Sequence, residues 1–204
     1  MKLMKLFLCL FLVSITVISC KDEAKKVEVA TEEGTVTDSE ETKNIKNTTG
    51  AQEVLANSIL AKLMATPESK TFVSNVISAG IIDLLSKEEG PFTLFVPTNA
   101  AFEALPEFTR EDLSRVENRE ALITLVKNHI TEEDLSSADL LQTVKKNGAH
   151  TIKTMGGASL MVYLDGTDIM LKDSLGAVAR VGKSDILASN GKVHIVDAVL
   201  TITK

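Results

Sequence analysis

The chain of 204 residues holds three histidines, His129, His150 and His194, and three imidazoles could together furnish most of a tetrahedral zinc site. Their settings argue for something plainer. His129 shares a helix-spaced apolar stripe with Leu122, Leu125 and Val126, where a histidine satisfied through a ring nitrogen is the commoner arrangement. His150 follows Asn147-Gly148-Ala149 in a loop-like stretch with no partner at ligand spacing, and His194 sits between Val193 and Ile195 in a strand-like run. The pieces of a serine hydrolase are present as Ser189, His194 and Asp197, yet no serine lies in the Gly-x-Ser-x-Gly elbow that presents a nucleophile. Gly156-Gly157 lacks the lysine and following hydroxyl residue of a phosphate loop and reads as a turn. Met155, Met161 and Met170 read as core filling rather than a ligand pocket. The expectation is a protein with no catalytic group, no metal and no cofactor.

The two cysteines are chemically distinct. Lys2 and Lys5 precede an uncharged stretch from Leu6 to Ser19, a charged n-region and an h-region too short for a membrane span of about 20 residues. That stretch ends Val17-Ile18-Ser19-Cys20, which resembles the lipobox of bacterial lipoproteins. The resemblance implies that residues 1–19 are a signal peptide, and that Cys20 is diacylated on sulfur and becomes the new N-terminus. Cys9 would leave with the leader, so no free thiol remains for disulfide, metal or nucleophilic chemistry. Lys21-Asp22-Glu23 resembles the export signal of surface lipoproteins. It implies an outer-membrane protein facing outward, with a periplasm-facing protein as the alternative.

Loss of residues 1–19 removes Lys2 and Lys5 and takes the formal charge from −6 to −8. A basic footprint for nucleic acid is absent. Aromatic residues make up 4% of the chain, without tryptophan and with Tyr163 as the one tyrosine, which leaves little material for a sugar-stacking platform. Shallow polar contacts with protein or polysaccharide remain open to it.

The elements that must position these groups fall into three zones. Residues 20–50 are rich in Glu, Lys, Thr and Asn, with scattered valines and no repeating apolar face. Such a composition cannot bury enough surface to offset chain entropy and predicts a disordered tether with a reach of roughly 30 Å. Within residues 51–204, Ala56, Ile59, Leu60 and Leu63 predict a helix ended by Pro67. Phe72, Val73, Val76 and Ile77 predict an inward face on a second helix that stops at Gly80. Thr109 to Asp112 suggests a capping box before a longer helix carrying Leu122, Leu125, Val126 and His129. The charge run Glu117 to Glu120 and the pair Lys145-Lys146 read as solvated faces. The last third predicts several short antiparallel strands, punctuated by turns at Gly156-Gly157, Asp165-Gly166 and Asn190-Gly191.

Between the helical and strand zones lies GPFTLFVPTNAAF, residues 90–102. Pro91 to Val96 reads as a strand that Pro97 stops, after which Thr98 or Asn99 caps a helix burying Phe102 and Leu105. The segment Thr93-Leu94-Phe95-Val96-Pro97-Thr98-Asn99-Ala100-Ala101-Phe102 closely resembles the first signature of the fasciclin domain, TxFxPTxxAF. Asn190-Gly191-Lys192-Val193-His194-Ile195-Val196-Asp197-Ala198-Val199-Leu200 resembles the second, NGxxHxxDxVL. The resemblance covers about residues 56–202. It implies a single α+β domain in which a helical layer packs on a wedge of short, mostly antiparallel strands. It also implies cell-surface adhesion and a structural role for His194. The Tyr-His pair that other members carry between the signatures is matched only by Asn128-His129, so the integrin contacts tied to that neighbourhood in animal members are not carried over. Asn99 likewise replaces the usual acidic residue.

The sequence therefore points to a lipid-anchored adhesion module of the cell envelope. Its expected partners are the membrane, through the anchor, and a surface or matrix protein or polysaccharide, and nucleic acid is not among them. The alternative is an envelope carrier of a small apolar ligand or carotenoid, which some microbial members of the family are.

Overall fold

The computed structural model describes residues 50–200, and the assignments made above for the signal peptide, Cys20 and the tether lie outside the described residues. The chain runs through α1 (residues 50–56), α2 (Ile59–Met64), α3 (Lys70–Ala79) and α4 (Ile82–Ser86) to the strand β1 (Phe92–Pro97). Then come α5 (Asn99–Glu103), α6 (Glu107–Leu113), α7 (Arg119–Lys127), β2 (Ile130–Thr131) and α8 (Ser137–Asn147). The remainder is β3 (His150–Lys153), β4 (Ser159–Asp165), β5 (Asp168–Lys172), β6 (Val178–Arg180), β7 (Ile186–Ala188) and β8 (Gly191–Val196). The fold is α+β.

Two four-stranded sheets form, ordered β2-β1-β8-β7 and β3-β4-β5-β6. Every pairing is antiparallel except β1 with β8, which run parallel from Phe92 opposite Gly191 to Pro97 opposite Val196. A parallel central pair is covered on both faces, and the burial of all six β1 residues follows from that. Side chains alternate across the pair. Leu94, Val96, Val193 and Ile195 enter one core with Ile59, Phe72 and Val126 from the helices. Phe95 and Val196 enter a second core with Leu140 and Val144 of α8 and Leu160 and Leu171 of the other sheet. The β1–β8 seam is the wall between the two cores. Gly191 is required there because a Cβ would collide with the Phe92 carbonyl oxygen across the seam.

Several local expectations are corrected. The first predicted helix is interrupted at Asn57, because the Ser58 hydroxyl accepts from the Ala61 amide and starts α2 afresh, leaving Ala56 exposed. Ile77 lies on the solvent side of α3, 53% exposed, while Ala79 takes the inward position. Thr109 is inside α6, whose N-cap is Pro106. The capping box of this chain is Ser136 with Asp139, at the start of α8. His129 lies just beyond the end of α7, in the turn that leads into β2. Met161 is exposed and only Met155 packs against a core, so the three methionines do not form one filling group. Gly80 ends α3 in the left-handed conformation, at φ +75°.

Candidate functional site

The two signatures meet along the seam, and their side chains act as joints between elements. In the first, the Thr93 hydroxyl donates to the Glu133 carbonyl and accepts from the Leu135 amide, at 2.6 and 2.9 Å, fastening the segment after β2 to the sheet. Phe95 is fully buried in the second core. Pro97 ends β1, and the Thr98 hydroxyl caps α5 by accepting from the Ala101 amide at 3.1 Å. Asn99 reaches back instead, accepting from the amide and hydroxyl of Thr71 and donating to the Pro67 carbonyl. Phe102 fills the helical core.

In the second signature Asn190 is a three-way joint. Its Oδ1 accepts from the Ile59 amide at 2.9 Å, and its Nδ2 donates to the carbonyls of Leu85 and Glu88. Asp197 is exposed and holds Arg180, accepting from its amide at 2.7 Å with the guanidinium Nε at 3.4 Å.

Both signature-region histidines are buried and neutral. His129 donates from Nδ1 to the Leu125 carbonyl at 2.9 Å, and its Nε2 accepts from the Leu200 amide at 3.2 Å. Burial drives its pKa down to about 4, against the weaker opposing pull of the Leu125 carbonyl and Asp173. His194 accepts at Nδ1 from the Asp185 amide and donates from Nε2 to the Leu135 carbonyl at 2.9 Å. Burial lowers its pKa as well. With both nitrogens of each ring engaged, neither has a lone pair to offer a metal or a proton to offer a substrate. His150 stands apart at the start of β3. Among the described residues no group of three or more His, Cys, Asp or Glu side chains could hold a metal ion.

Ser189, His194 and Asp197 do not converge. The Ser189 hydroxyl donates to the Val54 carbonyl, and the other two have the partners just given. The residues that do gather around His194 are ones the sequence did not flag. Asp185 sits at φ +58°, and its carboxylate accepts from the Ser137 amide at 2.9 Å and from the Ser137 hydroxyl. Burial opposes ionisation of Asp185, but the two Ser137 donors, together with the neighbouring His194 and the Ser184 hydroxyl, outweigh it and hold the carboxyl below its ordinary range. Here serine bonds aspartate and histidine takes a backbone amide, so no hydroxyl is activated for attack. Only the left-handed backbone at a non-glycine residue marks this junction, and no sequence pattern announces it.

Nearby, a shallow hollow of about 420 Å³ is lined by both polar residues, among them Ser137, Asp168 and Ser184, and apolar ones, among them Leu141, Ile169 and Val181, and an apolar groove of about 170 Å³ lies between Leu63, Met64, Lys70 and Val73. No helix among the described residues is long and apolar enough to cross a membrane.

Comparison with known proteins agrees with this geometry. The fasciclin domain family model matches residues 67–202. Protein sll1483 of Synechocystis is 32% identical over 130 residues, which are 64% of this chain and 65% of that one. Human periostin is 30% identical over 146 residues, 72% of this chain and 16% of periostin. The transforming growth factor-beta-induced protein ig-h3 of Sus scrofa is 34% identical over 130 residues, 63% of this chain and 17% of that protein. The matched region thus spans 65% of the first of these relatives and about one sixth of the other two. Among solved structures, a FAS1 domain pair from the insect cell adhesion molecule Fasciclin I superposes with a TM-score of 0.63 at 18% identity, covering 71% of this chain and 50% of that one, a likeness of fold. With the family model spanning everything from α3 to β8, and the two signature segments paired as β1 and β8, the chain belongs to the fasciclin domain family.

Proposed function

We propose that this protein is a lipid-anchored adhesion module of the cell envelope, held through Cys20 in the outer membrane, facing outward on the tether of residues 21–50, and acting without catalysis. The observation that carries the reading is the inward use of the signatures. Side chains that could have done chemistry are spent on joints and buried packing, so what the domain offers other molecules is its outer surface. The insect protein whose domain pair shares the fold is a cell adhesion molecule. The partner is a surface or matrix protein or polysaccharide, bound weakly at each copy and strengthened by many copies on one membrane. A carrier of carotenoid or another small apolar ligand finds less support, because the apolar groove of about 170 Å³ falls below the 300–1,000 Å³ typical of small-molecule sites.

The test compares the full chain as single copies in detergent micelles with many copies on liposomes, over whole cells and matrix polysaccharide, with heat-denatured protein as control. Single copies should bind in the micromolar range or weaker, on the order expected of a small transient patch, and liposomes should adhere far better. Equal and negligible adhesion in both formats, or a pigment that co-purifies with the chain, would overturn the reading.

A further inference from the structure

We propose that the cleft between α3 and the corner joining α6 to α7 binds a uronate unit of an acidic polysaccharide. The proposal rests on the adhesion reading and gives it a contact point. The cleft holds about 300 Å³, the lower end of the range for small-ligand sites. Helix α3 lines one wall with Ser74, Asn75 and Ser78, and the corner lines the other with Ser114, Arg115 and Arg119. No acidic residue lines it, although the chain as a whole carries a formal charge of −6.

Arg119 is held in place by the end of α3. Its Nη2 donates to the Ala79 carbonyl at 3.4 Å and lies over Gly80, where a Cβ would come within 2.5 Å of it. The glycine that ends the helix thus also seats the guanidinium. A guanidinium has five N–H donors, and this contact uses one nitrogen. Among the described residues neither Arg115 nor Arg119 enters an ion pair. Two arginines lining one cleft suit a carboxylate, which a guanidinium binds in bidentate fashion.

The remaining wall chemistry selects among carboxylates. Three serine hydroxyls, of which that of Ser114 already donates to the Arg110 carbonyl at 2.9 Å, and an amide exceed what a lone aspartate or glutamate side chain could use, whereas a sugar ring supplies several hydroxyls that donate and accept. Leu113, Val116 and Leu122 complete the lining and offer apolar surface to the C–H face of a ring. A long acidic polymer is repelled by the rest of this anionic surface, so the cleft would set where it engages.

The experiment titrates the full chain in detergent micelles, at low salt, with polygalacturonate. Fully methyl-esterified polygalacturonate retains hydroxyls without charge, and polyglutamate retains charge without hydroxyls. Polygalacturonate should bind, with both comparison polymers at least tenfold weaker. Arg115→Gln with Arg119→Gln should lose at least tenfold while melting like the parent, and Lys145→Gln with Lys146→Gln, which removes the same charge elsewhere, should leave binding intact. Should the double variant misfold, Arg115→Gln alone, whose side chain has no hydrogen bond to lose, should still weaken binding severalfold. Equal loss in the lysine variant, undiminished binding without the arginines, or equal affinity for polyglutamate would overturn the assignment, the last in favour of an acidic protein partner. Liposomes of the arginine-free variant that still adhere to matrix would sink the cleft and leave the adhesion reading standing. Parent liposomes that fail to adhere would sink that reading whatever the polymer titration shows.

Discussion

Phe95 and His194 face each other across the parallel β1–β8 pair, register partners whose rings stack at 5.5 Å with 21° between their planes. One comes from each signature, so the contact joins two motifs that lie far apart in sequence within the wall between the two cores. Phe95→Ala should therefore remove packing from the second core and one face of the imidazole together. The expected cost is about 3–5 kcal/mol, read as a lowered denaturant midpoint. A midpoint within experimental error of the parent would mean that the seam does not hold the cores together.

The buried histidines give stability a defined pH dependence. In the unfolded chain His129 takes up a proton near pH 6.5, while in the fold it resists until about pH 4. Its contribution is complete above pH 6.5 and is lost as pH falls toward 4, amounting to about 3 kcal/mol at most. His194, also lowered, acts with the same sign. Asp139 and Asp185 have lowered values too, so their contributions are kept through that window and fade only below the ordinary carboxylate range. Isothermal denaturation between pH 7 and 4 should show the decline in the parent and a shallower one in His129→Gln. A flat parent profile would contradict the buried neutral imidazole.

Asn190→Ala should cost about 2–4 kcal/mol, because it strands the Ile59 amide and two carbonyls that this one side chain satisfies. Hydrogen exchange separates this from a general loosening. The Ile59 amide should lose protection more than amides in the β3–β6 sheet, and uniform loss would show that Asn190 is not the joint between α2 and β8.

What the sequence made legible follows from how local each determinant is. The strand through Leu94, Phe95 and Val96, the stop at Pro97 and the end of α3 at Gly80 are written in neighbouring residues, whereas the α+β class came from the resemblance that the two signatures carry. The parallel pairing of β1 with β8 depends on contacts between distant segments, and the signatures indicated only that the two segments belong to one family pattern. Ile77 shows the limit of periodicity. Apolar residues at helical spacing define a stripe, but the width of the buried part is decided by how the neighbouring elements, α7 among them, pack on α3, with Val76 and Ala79 in the helical core and Ile77 in solvent. Arg119 shows the same limit for charge. Within the run Glu117 to Glu120 it reads as one more solvated residue, and its place over Gly80 depends on the docking of α7 against α3.

The last prediction concerns attachment. Each buried methylene of an acyl chain contributes about 0.8 kcal/mol, a single chain gives only marginal and reversible binding, and two or more make attachment stable. If Cys20 carries the diacyl group proposed for it, both S-linked chains depend on one sulfur. Cys20→Ala expressed in a bacterial host that processes lipoproteins should incorporate no labelled fatty acid and should leave the acylated membrane fraction, while the domain keeps the parent's melting temperature because residues 50–200 are unchanged. Proteinase added to intact cells should cut the parent within residues 21–50, where the composition favours nicking. Unchanged fatty-acid labelling in the variant would refute the anchor, and protection of the parent until the outer membrane is opened would place the domain on the periplasmic side.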